Sequence, residues 1–294
     1  MEHAAAHGDT RGKPRATLYV LATPIGNLGD IGLRALEVLK SVDAIAAEDT
    51  RVTGQLLAHY GITKRLIPVH EHNERRAVGQ VLALLGAGQS LALTSDAGTP
   101  AISDPGALLV AAVRSAGFPV TPVPGPNAAI AALSASGFTA PHFLFYGFLP
   151  ERAAARRKAL APLAKLPFTL VFYEAPHRIA ESVADLRAVL GGARRIVLAR
   201  ELTKLFETMH ACSLAEVEAW LAVDPNRRKG EFVLIVEGAD GGEAADAGPA
   251  QRTLAILLDA LPLKQAVGVA AKIAGGKRNE LYKLALAMKK KRDS

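Results

Sequence analysis

The chain has 294 residues, of which one is cysteine, one is tryptophan and 5 % are aromatic. With a single thiol, Cys212, no intrachain disulfide can form, which excludes a disulfide-stapled fold and fits a reducing cytoplasm. Half the residues are apolar, yet no apolar run reaches the ~20 residues that span a bilayer. The chain therefore reads as a soluble globular protein with no membrane partner, long enough for two domains. Residues 1–15 are polar, without the apolar segment of a secretory signal, and read as a disordered tail. Familiar signatures are missing as well. No G-x-x-x-x-G-K-[ST] supports a P-loop, and no G-x-S-x-G supports an esterase elbow. The turn after the first predicted strand is Thr23-Pro24-Ile25-Gly26-Asn27 rather than G-x-G-x-x-G. That disfavours a nicotinamide dehydrogenase and the commonest methyltransferase fold. His70 and His72 flank Glu71 with no third ligand at metal-binding spacing, so they read as polar surface and no metal is called for.

Charge is scarce in one sense only: residues 1–250 carry 25 basic and 25 acidic side chains, and the whole net charge of +7 lies in residues 251–294, where ten Lys and Arg face three Asp and Glu. A positive excess focused in this way suits a polyanion.

Strand and helix patterns alternate from residue 17 to 123. Strands are predicted at 17–22, 42–47, 65–69, 91–94 and 120–123. Helices are predicted at 31–40, 50–60, 73–85 with Asn73 as cap, and 105–117 with Asp104 as N-cap and Pro105 at the first helical position. The β-α-β rhythm predicts a mainly parallel sheet covered on both faces. Pro122, Pro124, Gly125 and Pro126 stiffen a hinge that also caps a helix reaching about residue 136. A second α/β unit follows, with strands at 143–146, 168–173, 196–199 and a last one at 232–237, and helices at 151–164 and 177–190. The predicted organisation is an N-terminal α/β domain (16–123), a C-terminal α/β domain (124–238), a low-complexity linker (239–250) and a basic helical segment (251–294). In that segment Leu281, Leu284 and Leu286 are expected to face inward.

The richest stretch is Ser90–Gly106, SLALTSDAGTPAISDPG. A short buried strand breaks into glycines that admit forbidden backbone angles, prolines that fix the path, and acceptors and hydroxyls between them. Loops leaving the carboxyl ends of strands are where open α/β sheets hold ligands. Further polar clusters stand at strand ends: Glu48-Asp49-Thr50-Arg51, Glu174-Ala175-Pro176-His177-Arg178 and Arg200-Glu201-Leu202-Thr203-Lys204. Singly each reads as a cap or surface pair; together with residues 95–104 they are able to line one cleft between two domains.

Seven motifs in order, LATPIGNLGDI (21–31), AEDTR (47–51), TSDAGTPAISDPG (94–106), VPGPNAAIAALSASG (123–137), FYGFLP (145–150), FYEAPHRI (172–179) and ARELTKLFE (199–207), resemble the tetrapyrrole-methylase-like class of S-adenosylmethionine-dependent methyltransferases. Within it they are similar to the bacterial branch that methylates the ribose 2′-hydroxyl of a cytidine in the decoding region of small-subunit (16S) ribosomal RNA. The resemblance covers about residues 16–290. It implies a cofactor, S-adenosylmethionine, between the two α/β domains. Matched motif by motif, its contacts are Pro24, Ser95, Asp96, Ala97, Gly98, Thr99, Asn127 and Ala128, with Ala175 and Leu202 from the second domain. Ile102, with Ala101, would open an apolar slot for adenine. It also implies a homodimer.

Methyl transfer from a sulfonium is an in-line displacement with a neutral leaving group and needs orientation and exclusion of water. A ribose hydroxyl is a weak nucleophile that a proton acceptor assists. Asp49, Glu174, His177 and Glu201 are candidate acceptors; Arg51 and Lys204 are candidates for holding phosphate or lowering the hydroxyl's pKa. The residues do not rank these. Arg156, Arg157, Lys277, Arg278, Lys289 and Lys290 are the candidate RNA contacts. Two other readings stand beside this one. A tetrapyrrole C-methyltransferase would not need the basic segment, and a non-catalytic ribosome-assembly factor would not need the 95–104 loop.

Overall fold

Every strand of the first sheet is only four residues long, and three of them, β1 (Leu18–Leu21), β2 (Ala44–Ala47) and β4 (Leu91–Thr94), are almost wholly apolar. Such runs suit strands covered on both faces. A computed structural model describes residues 16–70, 72–239, 249–274 and 278–292. In it these strands pair with β3 (Arg65–Pro68) and β5 (Val120–Val123) in the order β3-β2-β4-β1-β5, all parallel. Helices α1 (Leu33–Ser41) and α2 (Thr50–His59) cover one face, burying Ala35, Leu39, Leu56 and Leu57 against Leu21, Ile45 and Ala92. Helices α3 (Glu74–Gly86) and α4 (Ala107–Ser115) cover the other, burying Ala77, Val81, Leu85, Leu109 and Val113 against Leu18, Ala44, Ala46, Leu91 and Leu93. The crossovers leaving β1 and β4 run in opposite directions on opposite faces. The crevice outside the carboxyl ends of these two neighbours is therefore the switch point of the sheet.

The hinge delivers α5 (Ala128–Ser134) to a second sheet, where Ala129 and Ala132 pack on Val171, Val197, Val233 and Ile235. Asn127 caps this helix, its Oδ1 accepting from the N–H of Ile130 at 3.1 Å. The second sheet has the order β6-β7-β10-β8-β9. It is built from β6 (Phe143–Phe148), β7 (Thr169–Glu174), β8 (Arg195–Arg200), β9 (Thr208–Ser213) and β10 (Phe232–Val236). Only β6 and β7 run parallel; β10 is antiparallel to β7 and β8, and β9 is antiparallel to β8. Strand β9 and helix α8 (Val217–Val223) were not expected from the sequence. The reason is compositional: TMHACS is polar, half exposed and at a sheet edge, so it carries no apolar run.

Helices α6 (Ala153–Leu160) and α7 (Ile179–Leu190) pack together beside this sheet, and both are shorter than predicted. Arg156 of α6 corrects an expectation. It is 1 % exposed, its Nε donates to Asp185 of α7 at 2.7 Å, and its Nη1 donates to the Glu151 carbonyl at 3.1 Å. A guanidinium buried and turned inward in this way cannot reach a phosphate at the surface, so Arg156 is removed from the RNA contacts. The Arg157 side chain is 55 % exposed and stays among them.

Contacts divide the chain into two compact units. The first runs to Leu163 and resumes over Thr169–Glu237, and so holds both sheets; the second is Ala164–Phe168 with Gly238–Ser294. The second contains α9 (Pro249–Ala260), α10 (Leu263–Ala274) and α11 (Arg278–Arg292), closed around Leu254, Ala266, Val267, Ala270, Leu281 and Ala285. Leu284 packs against that core, but Leu286 is 50 % exposed and does not face inward as expected. The tail 1–15, residues 240–248 of the expected linker, and Lys277 lie outside the described residues, as do the side chains of Lys289 and Lys290. Among the described residues no helix is long and apolar enough to cross a membrane.

Candidate functional site

The loops after β1 and β4 are stitched together. Thr23 and Gly98 exchange backbone hydrogen bonds, N–H to O at 2.8 Å one way and 3.1 Å the other, and the Thr23 hydroxyl donates to the Ser95 carbonyl at 3.1 Å. Gly98 sits at φ +85°, which a side chain rarely tolerates. Thr99 Oγ1 donates to the Pro126 carbonyl at 3.1 Å, and Asn127 Nδ2 reaches Thr99 Oγ1 at 3.4 Å, so the hinge is tied to the same loop. Further along, Ala101 and Ser103 both hold left-handed backbone, at φ +66° and +65°. Strain of this kind gathers at functional loops.

Asp104 is not the helix cap that the sequence suggested, nor does Pro105 begin the helix. Gly106 is the N-cap residue, at φ +123°. The orphan N–H groups of Gly106 and Leu109 are taken by Oε1 of buried Glu74 from α3, at 3.0 and 3.1 Å. This frees Asp104 to line a cavity.

Two adjoining cavities open at the switch point. The first, about 360 Å³, is lined by Pro24, Gly26, Val52, Gln55, Ser95 and Asp96 among others, with Lys204 reaching in from the loop after β8. The second, about 320 Å³, is lined by Gly98, Thr99, Ile102, Asn127 and Ala128 from the first sheet's side. Tyr173, Ala175, Leu202 and Val233 line it from the second sheet. Ile25, Ala97 and Glu231 line both. Every residue expected to touch the cofactor thus lines one cavity or the other. Ala101, expected to help form the adenine slot, does not; Asp104, Tyr173, Phe148 and Glu231, which were not expected, do.

The candidate acceptors fare differently. Glu174 borders the second cavity, but its Oε1 accepts from the Ala175 N–H and the Arg178 guanidinium and its Oε2 from the Ser182 hydroxyl. With both oxygens engaged it is a structural anchor and not a base. Asp49 caps α2 and chelates Arg51, whose guanidinium holds the carboxyl down to about 2. Arg51 and His177 are exposed, and neither lines either of these two cavities. Glu201 is also set back. Against the burial that works to raise it, the Glu231 N–H and the Lys204 ammonium hold its pKa below the ordinary carboxylate value. Lys204 Nζ bridges Glu201 and Glu231 at 2.9 and 2.8 Å, and of these six candidates it is the one cation that lines either cavity.

The electrostatics are lopsided. Burial raises the pKa of Glu48, Asp96 and Asp104, and repulsion within the group adds to it; Asp104 is pushed up to about 6 by burial and then by Glu48. The Asp49 N–H donates to Asp96 at 2.9 Å and the Asp96 N–H to Glu48 at 3.2 Å, holding the carboxylates close. Carboxylates kept half-desolvated at mutual repulsion favour a cationic occupant.

Comparison with known families gives a match to the family described as tetrapyrrole (corrin/porphyrin) methylases over residues 17–218. The chain belongs to the tetrapyrrole methylase family. A second family, described as the RsmI C-terminal HTH domain, matches residues 243–289. Among curated relatives of this methylase, the ribosomal RNA small subunit methyltransferase I of Escherichia coli O157:H7 is 55 % identical over 92 % of this chain and 94 % of its own. The protein of the same name from Vibrio cholerae is 54 % identical over the same shares. Solved structures with the methylase fold include uroporphyrin-III-C-methyltransferase from Thermus thermophilus, with a TM-score of 0.54 and 21 % identity over 76 % of this chain and 94 % of that one. The methyltransferase CobJ follows at TM-score 0.58 and 19 % identity, over 76 % and 95 %. At such identities these show the shared fold.

Proposed function

We propose that the chain is an S-adenosylmethionine-dependent methyltransferase that methylates the ribose 2′-hydroxyl of a cytidine in the decoding region of small-subunit (16S) ribosomal RNA. The observation that carries this reading is identity above half, over nine-tenths of the chain, to relatives named for small-subunit ribosomal RNA methylation. The cavities agree with it. When bound, S-adenosylmethionine supplies an electrophilic methyl on a positively charged sulfur. Ile102, Leu202, Val233 and Tyr173 offer an apolar slot for its adenine, and bare backbone at Ala97 and Gly98 allows close approach. Asp96 and Asp104 give its cationic groups a partner. Lys204 faces the other cavity as a donor for phosphate or for a developing alkoxide. A tetrapyrrole substrate is not favoured, since the structures carrying that name share the fold alone.

The substrate side extends to Arg157 and Arg278 as phosphate contacts. We further infer a homodimer acting in the cytoplasm. The dimer is supported by neighbouring large apolar side chains left exposed on the first unit, Leu205 at 90 % and Phe206 at 66 %.

The decisive experiment is transfer of labelled methyl from S-adenosylmethionine to purified small subunits lacking the modification, followed by nuclease mapping. Label on a cytidine ribose 2′-oxygen is expected. Cofactor bound with no label on subunits or free RNA would overturn the substrate assignment.

Cofactor binding should also depend on pH. A cationic ligand favours ionised Asp104, so affinity is full above pH 6 and falls by up to about tenfold per unit as the pH drops below the value near 6 at which Asp104 takes up its proton. Titration calorimetry between pH 5 and 7.5 reads this directly. Asp104→Asn should weaken binding at pH 7.5 and flatten the profile. An unflattened profile would move the titrating group elsewhere.

A further inference from the structure

We propose that the exposed row Arg278–Tyr282–Leu286 on α11 docks unpaired RNA, with a nucleobase stacked on the Tyr282 ring. The inference rests on the RNA-methyltransferase reading above and adds a contact that methyl transfer itself does not require.

The three residues follow at four-residue spacing and so form one ridge along the helix. It lies beside the ridge of Leu281 and Ala285, which are 6 % and 0 % exposed and form the core of the three-helix unit. Tyr282 is 37 % exposed and Leu286 50 %, while Arg278 and Lys283 are exposed. At the head of the ridge the Arg278 guanidinium rests on α10, where a Cβ added to Gly268 would stand 3.3 Å from its Nη2. A long cation held against bare helix backbone loses less freedom when it pairs with a phosphate. Tyr282 comes one turn later, at the interval that lets a cation take the backbone while a ring takes the base.

An aromatic and a leucine exposed on the most basic part of the chain are poor choices for a solubilising surface. The net +7 of residues 251–294 repels a second copy of the same unit and attracts a polyanion. Among RNA forms the unpaired one fits best. The deep, narrow major groove of an A-form duplex does not admit side chains, whereas unstacked bases stack readily on aromatic rings.

The test uses the full chain with a stem-loop RNA carrying a cytidine-containing loop, and with a blunt duplex of the same stem. Tyr282→Ala and Tyr282→Leu are each expected to weaken stem-loop binding at least about fivefold, Tyr282→Phe to bind like the wild type, and none to alter S-adenosylmethionine affinity. Leucine keeps the apolar contact with the helix but removes the ring face, so it separates stacking from folding. Arg278→Ala should reduce the slope of log K against log salt by about 0.7, whereas the tyrosine variants leave the slope unchanged. The proposal is overturned if Tyr282→Leu binds like the wild type, if Tyr282→Phe loses as much as Tyr282→Ala, or if the duplex binds as well as the stem-loop. Methyl transfer by the wild type keeps the two readings apart. If the wild type transfers methyl and the variants bind RNA normally, only the docking site falls; if it neither transfers methyl nor binds RNA, both fall.

Discussion

Gly98→Val is expected to abolish S-adenosylmethionine binding, with a loss of at least about a hundredfold in affinity, in a chain that still folds. Gly98 holds φ +85°, where an L-residue costs about 1–2 kcal/mol and a β-branched one more. A Cβ there would meet Ile25 Cγ2 at 3.4 Å and the Pro126 carbonyl at 3.8 Å, which are ordinary contacts, so the strain lies in the backbone angle. To relieve this the backbone must turn away, and the paired hydrogen bonds with Thr23 go with it. Those bonds set the wall on which both cavities depend. The two sheets and their cores lie elsewhere, so the melting temperature should drop by only a few degrees. Calorimetric titration with circular dichroism reads both quantities. A folded variant that binds as tightly as the wild type would take this loop out of the site.

Arg156→Ala is expected to cost about 3–5 kcal/mol of stability, because it leaves Asp185, only 7 % exposed, as a buried charge without its principal partner. For a chain of this size that is a fall of roughly 10 °C in melting temperature. Arg157→Ala, one residue on, should lower the melt far less and weaken RNA binding, since its side chain is 55 % exposed and its pairing with Asp185 is the longer one, at 3.5 Å. Replacing both buried partners, Arg156→Met with Asp185→Leu, should recover most of the loss. Thermal melts of the three variants decide the matter. A melt of Arg156→Ala matching the wild type, together with a loss of RNA affinity, would return Arg156 to the surface role that the sequence suggested.

These two residues mark what the sequence could and could not reveal. The parallel sheet was legible because β1, β2 and β4 are almost wholly apolar, and the hinge that ends at Asn127 was legible as a helix cap because capping is local. Arg156 was read as surface because it stands in a basic helix. A clue was available in its spacing, since Arg156, Leu160 and Leu163 stand at i, i+4 and i+7 and all three are buried. Glu74 was not legible, because the N–H groups it satisfies lie 32 and 35 residues away and nothing in its own surroundings announces them. Asp104 was misread for the same reason. Asp-Pro before an apolar run is a good cap signal, and only the remote carboxylate of Glu74 overrules it. The residues that line the cavities were legible largely through resemblance of motifs. Among the acceptor candidates, Glu174 failed because spacing along a chain does not show that both oxygens are already bonded.

The wall shared by the two cavities has a thermodynamic consequence. Ile25, Ala97 and Glu231 each face both chambers, so whatever settles in one fixes side chains that the occupant of the other must also meet. By reciprocity, the factor by which bound cofactor tightens RNA equals the factor by which bound RNA tightens cofactor. Either order of addition then leads to the same ternary complex.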